Sequence, residues 1–191
     1  MILLEGPRVL VAIMVCVLTP LAFRAVAMPR LTQLMDLAGI WAAACVLVME
    51  SGEVGGIFFV GVYALLTMLA ALVGVQRLLA RPWPPSQLAQ HVALIVLAGA
   101  SVWLVAYQAG YALLGYPPFW VLLTAAHFHV AGCFLAIVVG WAAHGRGKLA
   151  QLAALGCIVG VPLTAIGIAW SHTLEVIAGV VMAASGFGAG G

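Results

Sequence analysis

With 191 residues, 66% of them apolar and 6% charged, and a mean hydropathy of +1.24, the chain departs from soluble domains, in which about a quarter of residues are charged. It reads as an integral, multi-pass membrane protein, all-α, of the bacterial cytoplasmic-membrane type. A net charge of +2, scattered along the chain, excludes a nucleic-acid partner, which needs a concentrated basic surface.

A helix crosses the hydrocarbon core with about 20 apolar residues. Seven stretches meet that length, near residues 7–27, 32–50, 54–76, 88–113, 118–143, 149–170 and 172–189, and the short links between them define a single transmembrane domain over residues 1–191. Arg8 precedes the first run, which ends in Ala25-Val26-Ala27, the small-x-small pattern of a signal-peptide cleavage site. Glu5 ahead of that run and Arg24 beside the site favour a retained first helix. Glu50-Ser51-Gly52-Glu53 separates spans two and three, Arg81 to Pro85 spans three and four, Tyr116-Pro117-Pro118 spans four and five, and His144 to Lys148 spans five and six. Pro and Gly punctuate these turns because Pro cannot continue the preceding helix. The last division is the shortest, a tight turn at Trp170-Ser171-His172.

Seven spans place Arg24, Arg30, Arg77, Arg81, Arg146 and Lys148 on one side and Arg8 on the other. The positive-inside rule then puts the N-terminus outside and the C-terminus in the cytoplasm. Cys16, Cys45, Cys133 and Cys157 fall in apolar runs without a CxxC pair, as reduced packing residues do. No Pro/Gly interruption recurs at matching positions of two segments, so no internal repeat is evident.

Ionisable residues in a membrane are costly and mark sites. At about 1.5 Å of rise per residue, His127 and His129 fall near the midplane of span five. Glu50, Glu53, His172 and Glu175 fall at the outer face, and Tyr107, Gln108 and Tyr111 in the outer third of span four. His172 and Glu175 are i, i+3 and share a helix face, and Glu175 also suits the positive first turn of span seven. His127 and His129 are i, i+2, about 200° apart on a regular helix, so one faces a cavity while the other packs. Thr124 lies on the His127 face, which favours His127 as the site residue. In the inner half, Asp36 and His91 either pair across helices or meet interfacial water, and His144 belongs to a solvated basic loop.

The run LLGYPPFWVLLTAAHFHVAG (113–132), then GCIVGVPLTAIGIAW (156–170), then Glu175, resembles the core of the YndJ-like integral membrane proteins, most closely over residues 113–175. The resemblance rests on Gly115-Tyr116-Pro117-Pro118, on Thr124 to Gly132 around His127-Phe128-His129, and on Gly160-Val161-Pro162-Leu163-Thr164-Ala165-Ile166-Gly167. Val130 stands where the family pattern has an aromatic. The resemblance implies a site at these residues and names no reaction.

Three functions suit the inventory. The first is a membrane-embedded isomerase or cyclase acting on a lipidic or isoprenoid-like substrate. In it, Glu175 or Glu50 serves as acid, His127 as base or proton relay, and His172 orients Glu175, while His129, Tyr107, Gln108, Tyr111 and Thr124 line the substrate. The cavity for that chemistry is expected between spans two, five and seven. The second is proton-coupled transport of a small solute, for which a homodimer would supply the missing symmetry. The third is metal or haem ligation by His127, His129, His172 and Glu175, although i, i+2 spacing on a regular helix opposes a shared ion. The assigned partners are membrane lipids and a lipidic substrate; no metal or cofactor is assigned.

Overall fold

The computed structural model describes residues 2–26, 29–80 and 83–188, and every regular element among them is helical. Seven rods follow one another. The first is α1 (Ile2–Ile13), a π-helical segment π1 (Met14–Leu18) and α2 (Thr19–Ala25). Then come α3 (Pro29–Val48), α4 (Val54–Ala80) and α5 (Pro85–Gln108). The fifth rod is α6 (Pro118–His127), π2 (Phe128–Leu135) and α7 (Ala136–Ala143), and the last two are α8 (Lys148–Trp170) and α9 (His172–Gly188).

By length and composition, Glu5–Ala25, Leu31–Val48, Val54–Ala80, Pro85–Gln108 and Pro118–Ala143 can each cross a membrane. In the last two rods the apolar stretches that qualify as described are shorter, Lys148–Thr164 and Thr173–Ser185. Arg81, in the expected Arg81 to Pro85 turn, and the final residues 189–191 lie outside the described residues.

Local chemistry sets the ends of the rods. Pro85 and Pro118 open α5 and α6 behind extended Pro84 and Pro117, since a first-turn Pro has the right φ and its missing N–H costs nothing there. The sequence reading carries span four to residue 113, but α5 ends at Gln108. Gly110 takes a φ of +69° just beyond it, a conformation open to glycine, and the chain turns into the loop. Tyr111 is therefore an exposed loop residue and not part of the outer third of a span. At the other end α4 continues to Ala80, past the expected 76. Arg77 stays attached to the bundle by donating from Nη1 to the Val26 carbonyl at 3.1 Å. The tight turn at the end of span six forms as expected, with α8 and α9 meeting at extended Ser171. A Cβ on Gly167 would collide with the Glu175 backbone.

The expectation of a regular helix through span five is not met. Residues Phe128–Leu135 are π-helical, as are Met14–Leu18 in the first rod. The π pattern, with i→i+5 hydrogen bonds, is rare, survives in short inserts, and is frequent at functional sites.

α5 is the central rod, packed against α4, against the α6–π2–α7 rod and against α8. The first rod lies along α3 and α6, and α9 packs along α8. Small residues permit the close approaches. A Cβ at Gly74 of α4 would lie 2.8 Å from the His91 carbonyl of α5, and one at Gly39 of α3 would lie 2.6 Å from the Val15 carbonyl of π1. Ala38, Ala42, Ala70, Ala93, Ala125 and Ala126 fill the interior around Tyr63, Phe23 and Leu97, while Leu37, Leu65, Leu72, Leu79 and Trp141 point outward. An apolar exterior over a small-residue interior is how a bundle sits in lipid.

The described basic residues divide between the two ends of this bundle. Arg24 pairs with Asp36 at 2.8 Å, near the Arg77 contact to Val26. The loop carrying Arg146 and Lys148 joins the same end through Gln151, which donates to the Ala143 carbonyl and accepts the Ser86 N–H. Arg8 lies at the opposite end, its Nε donating to the Tyr107 hydroxyl at 2.8 Å.

Candidate functional site

His127 and His129 are separated by environment. His127 is the last residue of α6 and His129 the second of π2. The His129 ring is 3% exposed and fully engaged: Nδ1 lies 2.7 Å from the Ala125 carbonyl and Nε2 lies 2.9 Å from the Tyr63 hydroxyl. A carbonyl has no proton to give, so Nδ1 carries the hydrogen and Nε2 accepts one from Tyr63. The Tyr63 oxygen is 3.2 Å from the Thr19 hydroxyl, which also lies 3.0 Å from the Met14 carbonyl. With the Tyr63 proton given to His129, Thr19 is the donor of its bond to Tyr63, so the chain runs from Thr19, whose backbone N–H closes π1 on the Met14 carbonyl, to α4 and on to π2. One turn along α4, Thr67 donates to Ser101 of α5 at 2.9 Å. Thr19, Tyr63, Thr67, Ser101 and His129 are all buried.

His127 differs. Its Nε2 is buried and has no hydrogen-bond partner, and its ring meets the Phe128 ring edge-on, with centroids 5.9 Å apart. Thr124, expected to share its face, spends its hydroxyl on the Trp120 carbonyl at 2.7 Å.

Phe128 lines an apolar groove of about 360 Å³ together with Val92, Val96, Gly99, Val161 and Pro162. The groove therefore lies between spans four, five and six, not between two, five and seven. Its physical origin is local. Pro162 stands inside α8, where it removes one backbone donor and pushes its ring toward the preceding turn, and Gly99 contributes no side chain. Gly99 and Pro162 are exposed at the mouth. The His-Phe-His and Gly-x-Pro stretches, more than thirty residues apart in sequence, come together on its walls.

The other residues singled out from sequence occupy separate places. Glu50 is an exposed residue of the α3–α4 loop, its N–H capped by the Glu53 carboxylate at 2.8 Å and its carbonyl accepting from Gln108 Nε2 at 3.0 Å. Gln108 is fully buried, its Oε1 without a partner, and Tyr107 beside it holds Arg8. These two residues tie the α3–α4 loop and α1 to the end of α5. Glu175 is half-buried in the first turn of α9, where Ser171 Oγ accepts the Leu174 N–H at 3.4 Å. The His172 side chain lies outside the described residues. Asp36 pairs with Arg24 and not with His91, because the α2 end delivers a guanidinium to it; His91 instead packs edge-on against Trp83 at 4.7 Å. The four cysteines are free thiols. Among the described residues no three His, Cys, Asp or Glu side chains gather closely enough to hold a metal ion.

Tyr63, Thr19, Thr67 and Ser101 are absent from the sequence-derived site. A hydroxyl in an apolar run is cheap to carry, and only the pairing of α4 with π1, π2 and α5 brings them together.

Fold and site together define a multi-pass helical membrane protein with a buried polar centre beside a groove that opens outward. The chain belongs to the YndJ-like protein family, whose model matches residues 9–191. It is similar to the uncharacterized membrane protein YndJ of Bacillus subtilis (strain 168), with 31% identity over 134 residues. The match covers 66% of this chain and 23% of that relative's length. No solved structure matches the chain.

Proposed function

We propose that this chain is a membrane-embedded lipid-handling enzyme unit, in which the groove holds the hydrocarbon part of a lipidic or isoprenoid-like substrate and His127 exchanges a proton with its polar end. The observation that carries this reading is the buried, unpartnered Nε2 of His127 against Phe128, whose ring forms a wall of the groove. A buried polar atom without a partner costs about 1–3 kcal/mol, and sites that meet a ligand are where such costs persist. An imidazole is suited to proton transfer near neutral pH. Isomerisation is the reaction class that one shuttling base can complete without a second group. The positive-inside rule assigns the Arg24, Arg77 and Arg146 end of the bundle to the cytoplasm, which leaves the Arg8 end outside.

Gly99→Leu tests the groove without crowding the fold, since a Cβ at Gly99 meets nothing within 4 Å. Mass spectrometry of lipids retained by the purified protein should show an apolar molecule with one polar group, enriched over the bulk extract in wild type. The variant should lose it at least tenfold while eluting as the same folded species. A wild-type lipid profile identical to bulk, or to that of Gly99→Leu, would refute the proposal.

A further inference from the structure

The two π-helical segments are joined by a buried hydrogen-bond chain. Residues Met14–Leu18 and Phe128–Leu135 pack together, and the chain Thr19, Tyr63 and His129 runs from one to the other. At its far end the His129 ring donates to the Ala125 carbonyl, which also receives the Phe128 N–H. The ring thus fixes a carbonyl at the junction where α6 becomes π2.

A π segment holds more residues per turn than an α-helix does. If π2 relaxed toward α geometry, one end of the rod would turn relative to the other by about 100° for each residue of register. The α7 end is the harder to turn, because Gly140 lies so close to α5 that a Cβ there would stand 2.5 Å from the Ser86 carbonyl. The rotation would fall on α6, and His127 is its last residue.

We infer that Tyr63 and Thr19 are positioning residues for the His127 site, holding the register of π2 through His129 and so setting where His127 and Phe128 stand beside the groove. Neither residue lines that groove, so each acts through the helix it pins. The inference rests on the function proposed above for His127, but its test does not depend on a bound lipid.

Histidine-selective 15N NMR of the full chain in lipid nanodiscs reads both rings, assigned with single histidine replacements among only five. Tyr63→Phe should displace the His129 Nε2 resonance, because its donor is gone, and should displace the His127 resonances as well. Thr67→Ala, which breaks the equally buried pair one turn along α4, should leave His127 in place. A folded Tyr63→Phe protein that moves His129 alone would overturn the inference. Should Tyr63→Phe fail to fold, Thr19→Val decides on the same criterion, with a displaced His127 supporting the role and an unmoved one refuting it. Displacement of His127 in a protein that retains no lipid would uphold the positioning role while removing the proposed function.

Discussion

Replacing His127 with Leu should raise thermal stability, and the same replacement at His129 should lower it, although the two lie two residues apart. At His127 the change removes a buried nitrogen that has no partner and substitutes an apolar group, a gain of about 1 kcal/mol. At His129 it removes two hydrogen bonds, takes the acceptor from the Tyr63 hydroxyl and a donor from the Ala125 carbonyl, a loss of about 1–3 kcal/mol. For a chain of this size each kcal/mol moves the midpoint by about 2–4 °C, so the two variants should bracket the wild type in one thermal scan. His127→Leu should at the same time lose about 10²–10⁴-fold in turnover of the lipid that the protein retains, the usual share of one proton-transfer group. A His127→Leu protein both destabilised and inactive would mean that His127 is a structural hydrogen-bonder instead.

Gly74→Leu should prevent assembly of the bundle. A Cβ at this position falls 2.8 Å from the His91 carbonyl, with Leu94 and Ile95 side chains at 3.2 Å, and backbone cannot withdraw as the tip of a side chain can. Overpacking in a core costs about 1–3 kcal/mol and occasionally more; with backbone as the obstacle and α5 as the central rod, the upper end is expected. Expression should fall and the detergent-extracted protein should aggregate, as read by fluorescence size-exclusion chromatography. Gly99→Leu is the matched control, on α5 at the groove, where a Cβ meets nothing within 4 Å. Equal behaviour of the two variants would contradict the packing described for α4 and α5.

How much of this was legible in the sequence differs by level. The rods follow from apolar run length, and their limits from Pro84-Pro85, Pro117-Pro118 and Ser171, because these residues act on their own backbone. The groove between α5, π2 and α8 was not legible, because it arises from what Gly99 omits and from Pro162 inside α8, and neither feature shows which neighbouring rod will face it. The expected separation of His127 from His129 rested on a regular helix. In the structure the difference comes from the π register of span five and from a tyrosine two spans away. Composition does not distinguish a π segment from an α-helix, so π1 and π2 left no mark in Met14–Leu18 or Phe128–Leu135 that hydropathy could register. The carboxylates were grouped with the histidines as one outer leaflet, yet a shared leaflet does not bring residues together: Glu50 belongs to the α3–α4 loop and Glu175 to the first turn of α9.

The central claim is that the groove between α5, π2 and α8 holds a lipidic molecule within reach of His127. A photoreactive p-benzoylphenylalanine at position 161, irradiated in native membranes, tests it most directly, because Val161 forms a wall of the groove. The proposal predicts an adduct dominated by one lipid class with a polar group, reduced when Gly99→Leu fills the groove and absent from the same probe at exposed Leu72 on the far side of α4. Adducts that mirror bulk phospholipid equally at positions 161 and 72 would contradict it.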